Sequence, residues 1–222
     1  MPTVLIVGAS RGIGHALASQ YLDEDWRVIA TARRQADCDA LKALGAHAHV
    51  LDVTDADAIA GLGWKLDGEL LDAAFLVSGV YGPQHSGFPT QDEFDTVMHT
   101  NVLAAMRLLP LIAPTVAARR GKLAVLSSRM GSIGARTSNA GSLYRASKAA
   151  LNSVLADTSI AFGGDGVTCV AFHPGWVRTD MGGPEATLSP ADSARAMRAT
   201  LAGLDASATP RFLNYDGTPI PW

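Results

Sequence analysis

The stretch from Tyr144 to Lys148 carries two side chains that can perform acid–base chemistry together. It reads Tyr-Arg-Ala-Ser-Lys and lies within residues 141–162, whose apolar residues recur at helical spacing. Residues four apart share a helix face, so Tyr144 and Lys148 point the same way. A phenol has a pKa of about 10, which a neighbouring ammonium lowers by favouring phenolate. The pair predicts a tyrosine that exchanges a proton with a carbonyl or alcohol oxygen. The alternative is a helix with one tyrosine and one lysine on its surface.

A glycine-rich turn follows the first apolar run, Thr3–Val7. From Gly8 to Gly14 it reads Gly-Ala-Ser-Arg-Gly-Ile-Gly, and a helical pattern over residues 13–24 follows. Glycines let a backbone approach pyrophosphate closely, and a helix N-terminus supplies N–H groups to the phosphates. Strand, glycine turn and helix in this order therefore predict a dinucleotide site, against the alternative of a turn without function.

Basic residues stand where NAD-binding domains usually place an acidic residue. An Asp or Glu about 20 residues after the glycines holds the ribose 2′-hydroxyl in such domains. Here Arg33 and Arg34 occupy that place, after the strand pattern of Arg27–Ala32. A guanidinium can bind a 2′-phosphate with two hydrogen bonds, and Arg11 in the glycine-rich turn can reach the same phosphate. The sequence therefore predicts NADP(H) as cofactor, against the alternative that these arginines are solvated surface residues.

Strand and helix patterns alternate along the rest of the chain, which predicts one parallel sheet with helices on both faces. We expect further strands at residues 46–51, 73–77, 123–127, 166–172 and 211–214, and helices at 37–44, 56–66, 92–120 and 190–204. The prolines Pro110 and Pro114 suggest that residues 92–120 form two segments. Ligands bind such sheets at the carboxyl ends of the strands. The segments expected to meet there are the glycine-rich turn, Arg33, Asp52, Ser78, Ser128 and Pro174-Gly175.

Length and composition narrow the class of protein. The chain has 222 residues, a net charge of -3 and 48% hydrophobic residues, which suits a single α/β domain over residues 1–222. Without a basic block we expect no nucleic-acid partner. We also expect no signal peptide, because no basic region precedes the first apolar run, and no membrane segment. Cys38 and Cys169 form no CxxC pattern, so a cytoplasmic protein is expected. His47 and His49 share a strand face but lack a third ligand, so no metal site is expected.

These residues together resemble the short-chain dehydrogenase/reductase family over essentially the whole chain. The matching elements are the GxxxGxG turn, Asp52-Val53, Asn101, Ser128, Tyr144-x-x-x-Lys148, and Pro174-Gly175 with Thr179. Residues 144–151 and 212–222 resemble the short C-factor-like carbonyl reductases of that family. The resemblance implies a Rossmann-like, three-layer, doubly wound parallel sheet of about seven strands. It also implies a homodimer or homotetramer that uses NADP(H) to reduce an aldehyde, ketone or quinone to an alcohol.

The resemblance also implies a role for each matching residue. Tyr144 would give a proton to the carbonyl oxygen, and Ser128 would polarise that oxygen. Lys148 would hold the nicotinamide ribose and lower the pKa of Tyr144, and Asn101 would position a water behind Lys148. Thr179 would fix the nicotinamide carboxamide. The implied cofactor site consists of Gly8, Ser10, Arg11, Gly12, Ile13, Gly14, Arg33, Asp52, Val53, Ser78, Gly79, Val80, Tyr144, Lys148, Pro174, Gly175, Val177 and Thr179.

The chain departs from the family pattern in two places. Leu-Val-Ser-Gly at residues 76–79 replaces the usual Asn-Asn-Ala-Gly, which leaves open the sheet-stabilising and cofactor contacts of that motif. The loop over residues 129–142 is longer than usual, and its Gly, Ser and Thr content favours mobility. Two other hypotheses stay open: a redox sensor or signalling protein that binds the nucleotide without turnover, and a structural α/β protein.

The substrate pocket is expected to be open and apolar. The segment between Thr179 and the helix pattern at residue 190 is short and glycine-containing, so it covers the pocket poorly. We expect walls from Tyr81, Met130, Trp176 and Met181, with no Arg or Lys placed to bind a carboxylate. Arg178 would contradict this expectation if its side chain turned into the pocket, where it could bind an acid.

Overall fold

The computed structural model describes residues 1–83, 85 and 87–222, and it contains one sheet of seven parallel strands in the order β3-β2-β1-β4-β5-β6-β7. The predicted doubly wound α/β class and strand number are confirmed. The strands are β1 Thr3–Val7, β2 Arg27–Ala32, β3 His47–Val50, β4 Ala73–Leu76, β5 Lys122–Leu126, β6 Thr168–His173 and β7 Arg211–Asn214. The helices are α1 Gly12–Leu22, α2 Gln35–Ala43, α3 Ala56–Lys65, α4 Gln91–Met98, α5 Ala104–Ala117, α6 Ser142–Phe162 and α7 Pro190–Gly203.

The strands are apolar because helices cover both faces of the sheet. All five residues of β1 are buried, and their side chains alternate between two cores. Leu5 and Val7 join the core under α3, α5 and α6, whereas Val4 and Ile6 join the core under α1, α2 and α7. Burial on both faces leaves no polar stripe, which explains the continuous apolar runs in the sequence.

The predicted helical stretch at residues 92–120 is divided, but not at its prolines. A π-helical turn, His99–Leu103, separates α4 from α5, and both Pro110 and Pro114 lie inside α5. The two prolines are on the exposed side of the helix, where water can hydrate the carbonyls that lose their N–H donors. The break instead contains Asn101, as π-helical turns often contain functional residues.

By length and composition alone, the stretch Gln91–Ala117 could cross a membrane, with a mean hydropathy of 1.4 in its most apolar window. Half of that window is buried inside the fold. Leu108, Ile112 and Val116 pack in the core beneath the sheet. The apolar character of this stretch is therefore explained by its place as a core helix.

The topology creates a crevice where the strand order reverses beside β1. The chain leaves β1 toward β2 and β3 on one side, then returns to β4 on the other. Gly14 allows α1 to approach the end of β1 closely at this crevice. A Cβ built on Gly14 would lie 2.0 Å from the carbonyl oxygen of Gly8, so helix α1 begins in contact with the end of β1. The carboxyl-end segments predicted from the sequence therefore meet along one edge, where ligands bind in such sheets.

We predict that Gly14→Ala lowers the free energy of unfolding by about 1–3 kcal/mol, because the added methyl overpacks the backbone of Gly8. Gly61→Ala is the matched control: Gly61 also lies in a helix, and its Cβ would meet nothing within 4 Å. Helix propensity alone should make that variant more stable by about 0.5–1 kcal/mol. Urea unfolding of both variants tests the claim, and equal shifts would contradict it.

Candidate active site

The start of α1 has the backbone features that an anion-binding turn requires. Gly8 and Gly12 have φ angles of 95° and 56°, which glycine adopts without strain. Among the described residues, no side chain caps the first turn of α1, and that turn contains no acidic residue. Its N–H groups and the positive end of its dipole therefore remain available to an anion.

Three arginines converge beyond the end of β2. Arg34 binds Asp37 through two hydrogen bonds of 2.8 Å. These bonds hold the pKa of Asp37 below its ordinary value, with smaller contributions from the charges of Arg11 and Arg33. Arg11 also forms an ion pair with Asp180, across the cleft. The arginines therefore lie together where the sequence predicts a 2′-phosphate site, which stays a prediction, and a carboxylate that the sequence pattern did not indicate, Asp37, lies among them.

The neighbouring strand ends are tied together by main-chain and serine donors. The carbonyl of Val7 accepts hydrogen bonds from the N–H groups of Val77 and Ser78, at 2.9 and 3.2 Å, and from the Ser78 hydroxyl at 3.3 Å. These contacts hold the strand ends together without the missing asparagines. Asp52, after β3, accepts two hydrogen bonds from Thr54 with one carboxylate oxygen.

Ser128, Tyr144 and Lys148 are brought to the same end of the sheet, and all three are buried. Ser128 follows β5, and Tyr144 lies in the first turn of α6, which begins after a left-handed Gly141 with φ of 66°. The Lys148 Nζ donates a hydrogen bond of 2.8 Å to the Leu126 carbonyl. It also lies 5.6 Å from the centroid of the Tyr144 ring. The shared helix face expected of Tyr144 and Lys148 is present.

The predicted acidity of Tyr144 is wrong for this structure. Burial raises its pKa to about 12, and the interaction with the Ser128 side chain lowers it by a smaller amount. The Lys148 ammonium lies over the ring and is not among the groups that lower this pKa. Burial also lowers the pKa of Lys148 to about 8. At neutral pH the phenol is therefore protonated, which is the form that can donate a proton.

Asn101 connects the π-helical turn to the loop after β4. Its side-chain oxygen accepts from the Val80 N–H, and its amide nitrogen donates to the Val80 carbonyl, both at 2.8 Å. The same nitrogen donates to the Ser147 hydroxyl at 2.9 Å. A Cβ on Gly79 would lie 3.2 Å from both the Asn101 oxygen and the Lys148 Nζ. Asn101 thus holds backbone beside Lys148, and its predicted role in positioning a water stays a prediction.

The segment after β6 faces the glycine-rich turn. Gly175 has a φ of 85°, and the Pro174 carbonyl accepts a hydrogen bond of 2.6 Å from Ser193. A Cβ on Gly12 would lie 3.1 Å from the Thr179 methyl, so the predicted nicotinamide and phosphate contacts flank one cleft. Arg178 does not turn inward, since its guanidinium donates to the carbonyls of residues 186 and 187.

A cleft of about 1040 Å³ opens in front of the buried hydroxyls. The four predicted walls line it, namely Tyr81, Met130, Trp176 and Met181. Tyr81 also stacks on Tyr144, with ring centroids 4.7 Å apart. Arg129 and Arg145 also line the cleft, whereas the sequence predicted no Arg or Lys placed there to bind a carboxylate. Each arginine directly follows a predicted catalytic residue, but this adjacency in sequence did not indicate that the arginine lines the cleft.

A second polar pair, which the sequence pattern did not identify, lies behind the site. The Ser127 hydroxyl donates a hydrogen bond of 2.6 Å to the Asn152 side-chain oxygen. Asn152 lies one turn after Lys148 on the same face of α6, and both members of the pair are buried. The pair joins the end of β5 to the helix that carries Tyr144. The four-residue spacing between Lys148 and Asn152 is the feature of the sequence that could have identified Asn152.

A doubly wound sheet with a glycine-rich turn and a buried Ser–Tyr–Lys cluster defines a nucleotide-dependent oxidoreductase. Residues 2–187 match the family described as short chain dehydrogenase, and the chain belongs to the short-chain dehydrogenase/reductase family. The resemblance drawn from the sequence is therefore confirmed.

Two relatives and two solved structures illustrate this membership. The C-signal protein of Myxococcus xanthus is 42% identical over 125 residues, which cover 55% of this chain and 74% of that protein. The 1-hydroxy-2-glutathionyl-2-methyl-3-butene dehydrogenase of Rhodococcus sp. (strain AD45) is 32% identical, and the match covers both chains fully. A Burkholderia multivorans short-chain dehydrogenase/reductase with bound NADP has a TM-score of 0.92 and 35% identity, over 100% of this chain and 99% of the other. A Pseudomonas aeruginosa PAO1 carbonyl reductase in complex with NADP has a TM-score of 0.84 and 36% identity, over the full length of both chains.

The low pKa of Lys148 predicts a stability that depends on pH. The unfolded chain binds the lysine proton more tightly than the folded chain, whose pKa is about 8 instead of 10.5. The penalty on folding is therefore complete below pH 8 and disappears as the pH rises through 10.5. Lys148→Met should raise the free energy of unfolding at pH 7 by on the order of 3 kcal/mol.

Urea unfolding of the protein and of Lys148→Met at pH 7 and pH 10 measures this effect. The gain should be much smaller at pH 10, because there the lysine is largely neutral in the folded chain and partly neutral in the unfolded chain. A variant that is less stable than the parent at pH 7 would show that the buried ammonium is stabilised by its surroundings.

Proposed function

We propose that this protein is an NADP(H)-dependent carbonyl reductase, which converts an aldehyde, ketone or quinone to an alcohol. The observation that carries the proposal is the convergence of Ser128, Tyr144 and Lys148 at one cleft, beside the glycine-rich turn. The neighbouring structures with bound NADP, one of them a carbonyl reductase, support both the cofactor and the reaction.

The residues of the cleft fit the cofactor. The uncapped N–H groups of α1 suit the pyrophosphate, and Arg11 and Arg33 suit the 2′-phosphate. Arg11 would exchange its partner Asp180 for the phosphate. Lys148 has three N–H donors and uses one on the Leu126 carbonyl, which leaves donors for the nicotinamide ribose. When bound, NADPH supplies the hydride that reduces the carbonyl carbon.

The protein's own groups then manage the oxygen of the substrate. Ser128 donates a hydrogen bond to the carbonyl oxygen and stabilises the negative charge that develops there. Tyr144 transfers its phenolic proton to the same oxygen, so the product is a neutral alcohol. Tyr81 packs against the Tyr144 ring and holds it in place.

The burial of Lys148 favours turnover over the alternative of a nucleotide-binding sensor. An ammonium in this position destabilises the folded chain, and none of its described contacts is with a carboxylate. A protein that only bound the nucleotide would not need a buried Ser–Tyr–Lys cluster at the mouth of a cleft. The homodimer or homotetramer, the cytoplasmic location and the single-domain boundary stay predictions.

We predict that Tyr144→Phe lowers kcat by about 10²–10⁴-fold, because it removes the proton donor. The dissociation constant for NADPH should change little, since most cofactor contacts come from other residues. Tyr21→Phe is the control, since Tyr21 is a buried phenol in the core beneath α1 and α7. NADPH oxidation with a panel of aldehydes, ketones and quinones measures kcat, and a Tyr144→Phe enzyme with near-normal rates would refute the assignment.

We predict that Arg33→Ala weakens binding of NADPH much more than binding of NADH. Each charge-assisted hydrogen bond lost to the 2′-phosphate is worth roughly 1.5–3 kcal/mol. Arg34→Ala is the matched control, because Arg34 is already bound to Asp37 and should change the NADPH-to-NADH ratio less. Fluorescence titration of both cofactors against the three proteins decides the point. Equal affinity of the parent protein for the two cofactors would count against the 2′-phosphate site.

A further inference from the structure

The cleft in front of the catalytic hydroxyls is positively charged. Arg129 directly follows Ser128, Arg145 directly follows Tyr144, and both arginines line the cleft. Among its described lining residues there is no aspartate or glutamate. Two arginines therefore line this space without a carboxylate on its described lining. Such a cleft attracts anions and concentrates them near the reacting centre.

The two arginines differ in how far their donors are already used. The Arg145 Nε donates to the Ala140 carbonyl at 2.8 Å, and its Nη1 reaches the Met130 carbonyl at 3.5 Å. Arg145 thus shapes the loop that forms one wall. In the part of the chain that the structure describes, no hydrogen bond or ion pair occupies the guanidinium of Arg129, which is exposed. Arg129 is therefore the side chain able to bind a ligand group.

The charge of Arg129 acts on two titratable groups, one of which is on the cleft lining. After burial, the charge of Arg129 is the second cause that lowers the pKa of His173, and His173 lines the same cleft. The charge of Arg129 also lowers the pKa of Asp216, whose carboxylate already accepts hydrogen bonds from Thr218. Arg129 and Ser128 are consecutive residues, and both line the cleft.

We propose that the substrate is an anionic carbonyl compound, whose carboxylate or similar anion is bound by Arg129 while its carbonyl oxygen faces Ser128 and Tyr144. This inference rests on the proposed reductase function and names the substrate class of the same site. The planar guanidinium binds a carboxylate through two parallel hydrogen bonds, which also orients the rest of the molecule. The apolar walls, including Tyr81 and Trp176, contact the carbon skeleton between the two polar ends.

The test compares kcat/KM for benzaldehyde and 4-carboxybenzaldehyde with NADPH. The parent enzyme should prefer the carboxylate by roughly tenfold, mainly through a lower KM, because a charge-assisted hydrogen bond is being gained. Raising the ionic strength should shrink this preference, since salt screens an exposed pair. Arg129→Ala should abolish the preference, and Arg129→Lys should retain part of it, because lysine keeps the charge without the fork.

Arg136→Ala is the matched control, because Arg136 belongs to the same loop region but does not line the cleft. It should keep the full preference. Equal kcat/KM for the two aldehydes within about twofold, or a preference that Arg129→Ala leaves intact, would overturn the inference while the reductase function stands.

A binding measurement separates the two proposals. Isothermal titration of 4-(hydroxymethyl)benzoate into the protein with NADPH reports recognition of the anion without turnover, because an alcohol and the reduced cofactor do not react with each other. We expect Arg129→Ala to weaken this binding by roughly tenfold, and Arg136→Ala to leave it unchanged. If no carbonyl compound is reduced, the reductase function fails, and the titration still decides whether Arg129 binds the anion. Identical binding by the parent and Arg129→Ala would reject that role.

Discussion

The site depends on one buried ammonium. Lys148 lies on the inner face of α6, donates to the Leu126 carbonyl and covers the ring of Tyr144. No carboxylate among its described contacts neutralises it, and burial lowers its pKa to about 8. Several other features are arranged around this group: Gly79 leaves room beside it, and Asn101 fixes the backbone next to it. A fold that only needed stability would place an apolar side chain there.

The burial that makes Lys148 unfavourable also sets the state of Tyr144. With its hydroxyl removed from water, the phenol keeps its proton far above neutral pH. A reductase needs a donor in that form, whereas phenolate would be needed only for the reverse reaction. The stacking of Tyr81 and the nearby Ser128 then determine where the proton can go. Cofactor charge and substrate would enter this environment, so the acidity of Tyr144 belongs to the assembled site rather than to the helix.

The two ends of the cleft differ in how far their arginines are already paired with carboxylates. At the cofactor end, Arg34 is held by Asp37 and Arg11 by Asp180, so part of the basic character is already neutralised. At the substrate end, Arg129 and Arg145 face the cleft without a lining carboxylate among the described residues. Exposed ion pairs are worth little, so the pairs at the cofactor end can open when a phosphate arrives. Among the described residues, neither Arg129 nor Arg145 forms an ion pair of that kind.

The sequence by itself determined the features that depend on local order. Apolar runs separated by helical patterns identified the parallel sheet, because both faces of each strand are buried. The glycine turn before α1 and the four-residue spacing of Tyr144 and Lys148 identified the two halves of the site, since each is set by a few neighbouring residues. Residues scattered along the chain, such as Ser128 and Thr179, could be assigned through the family pattern and the rule that strand ends share one edge.

Only the tertiary structure decided how distant groups act on one another. The pKa of Tyr144 moved against expectation because burial depends on the whole packed cleft. The helix broke around Asn101 rather than at its prolines, because Asn101 bonds to the backbone of Val80, 21 residues away. The pairing of Arg11 with Asp180 and the position of Arg129 on the cleft lining have the same origin. Spacing along a chain predicts which side chains share an element, but direction, burial and partners are set where separate elements pack together.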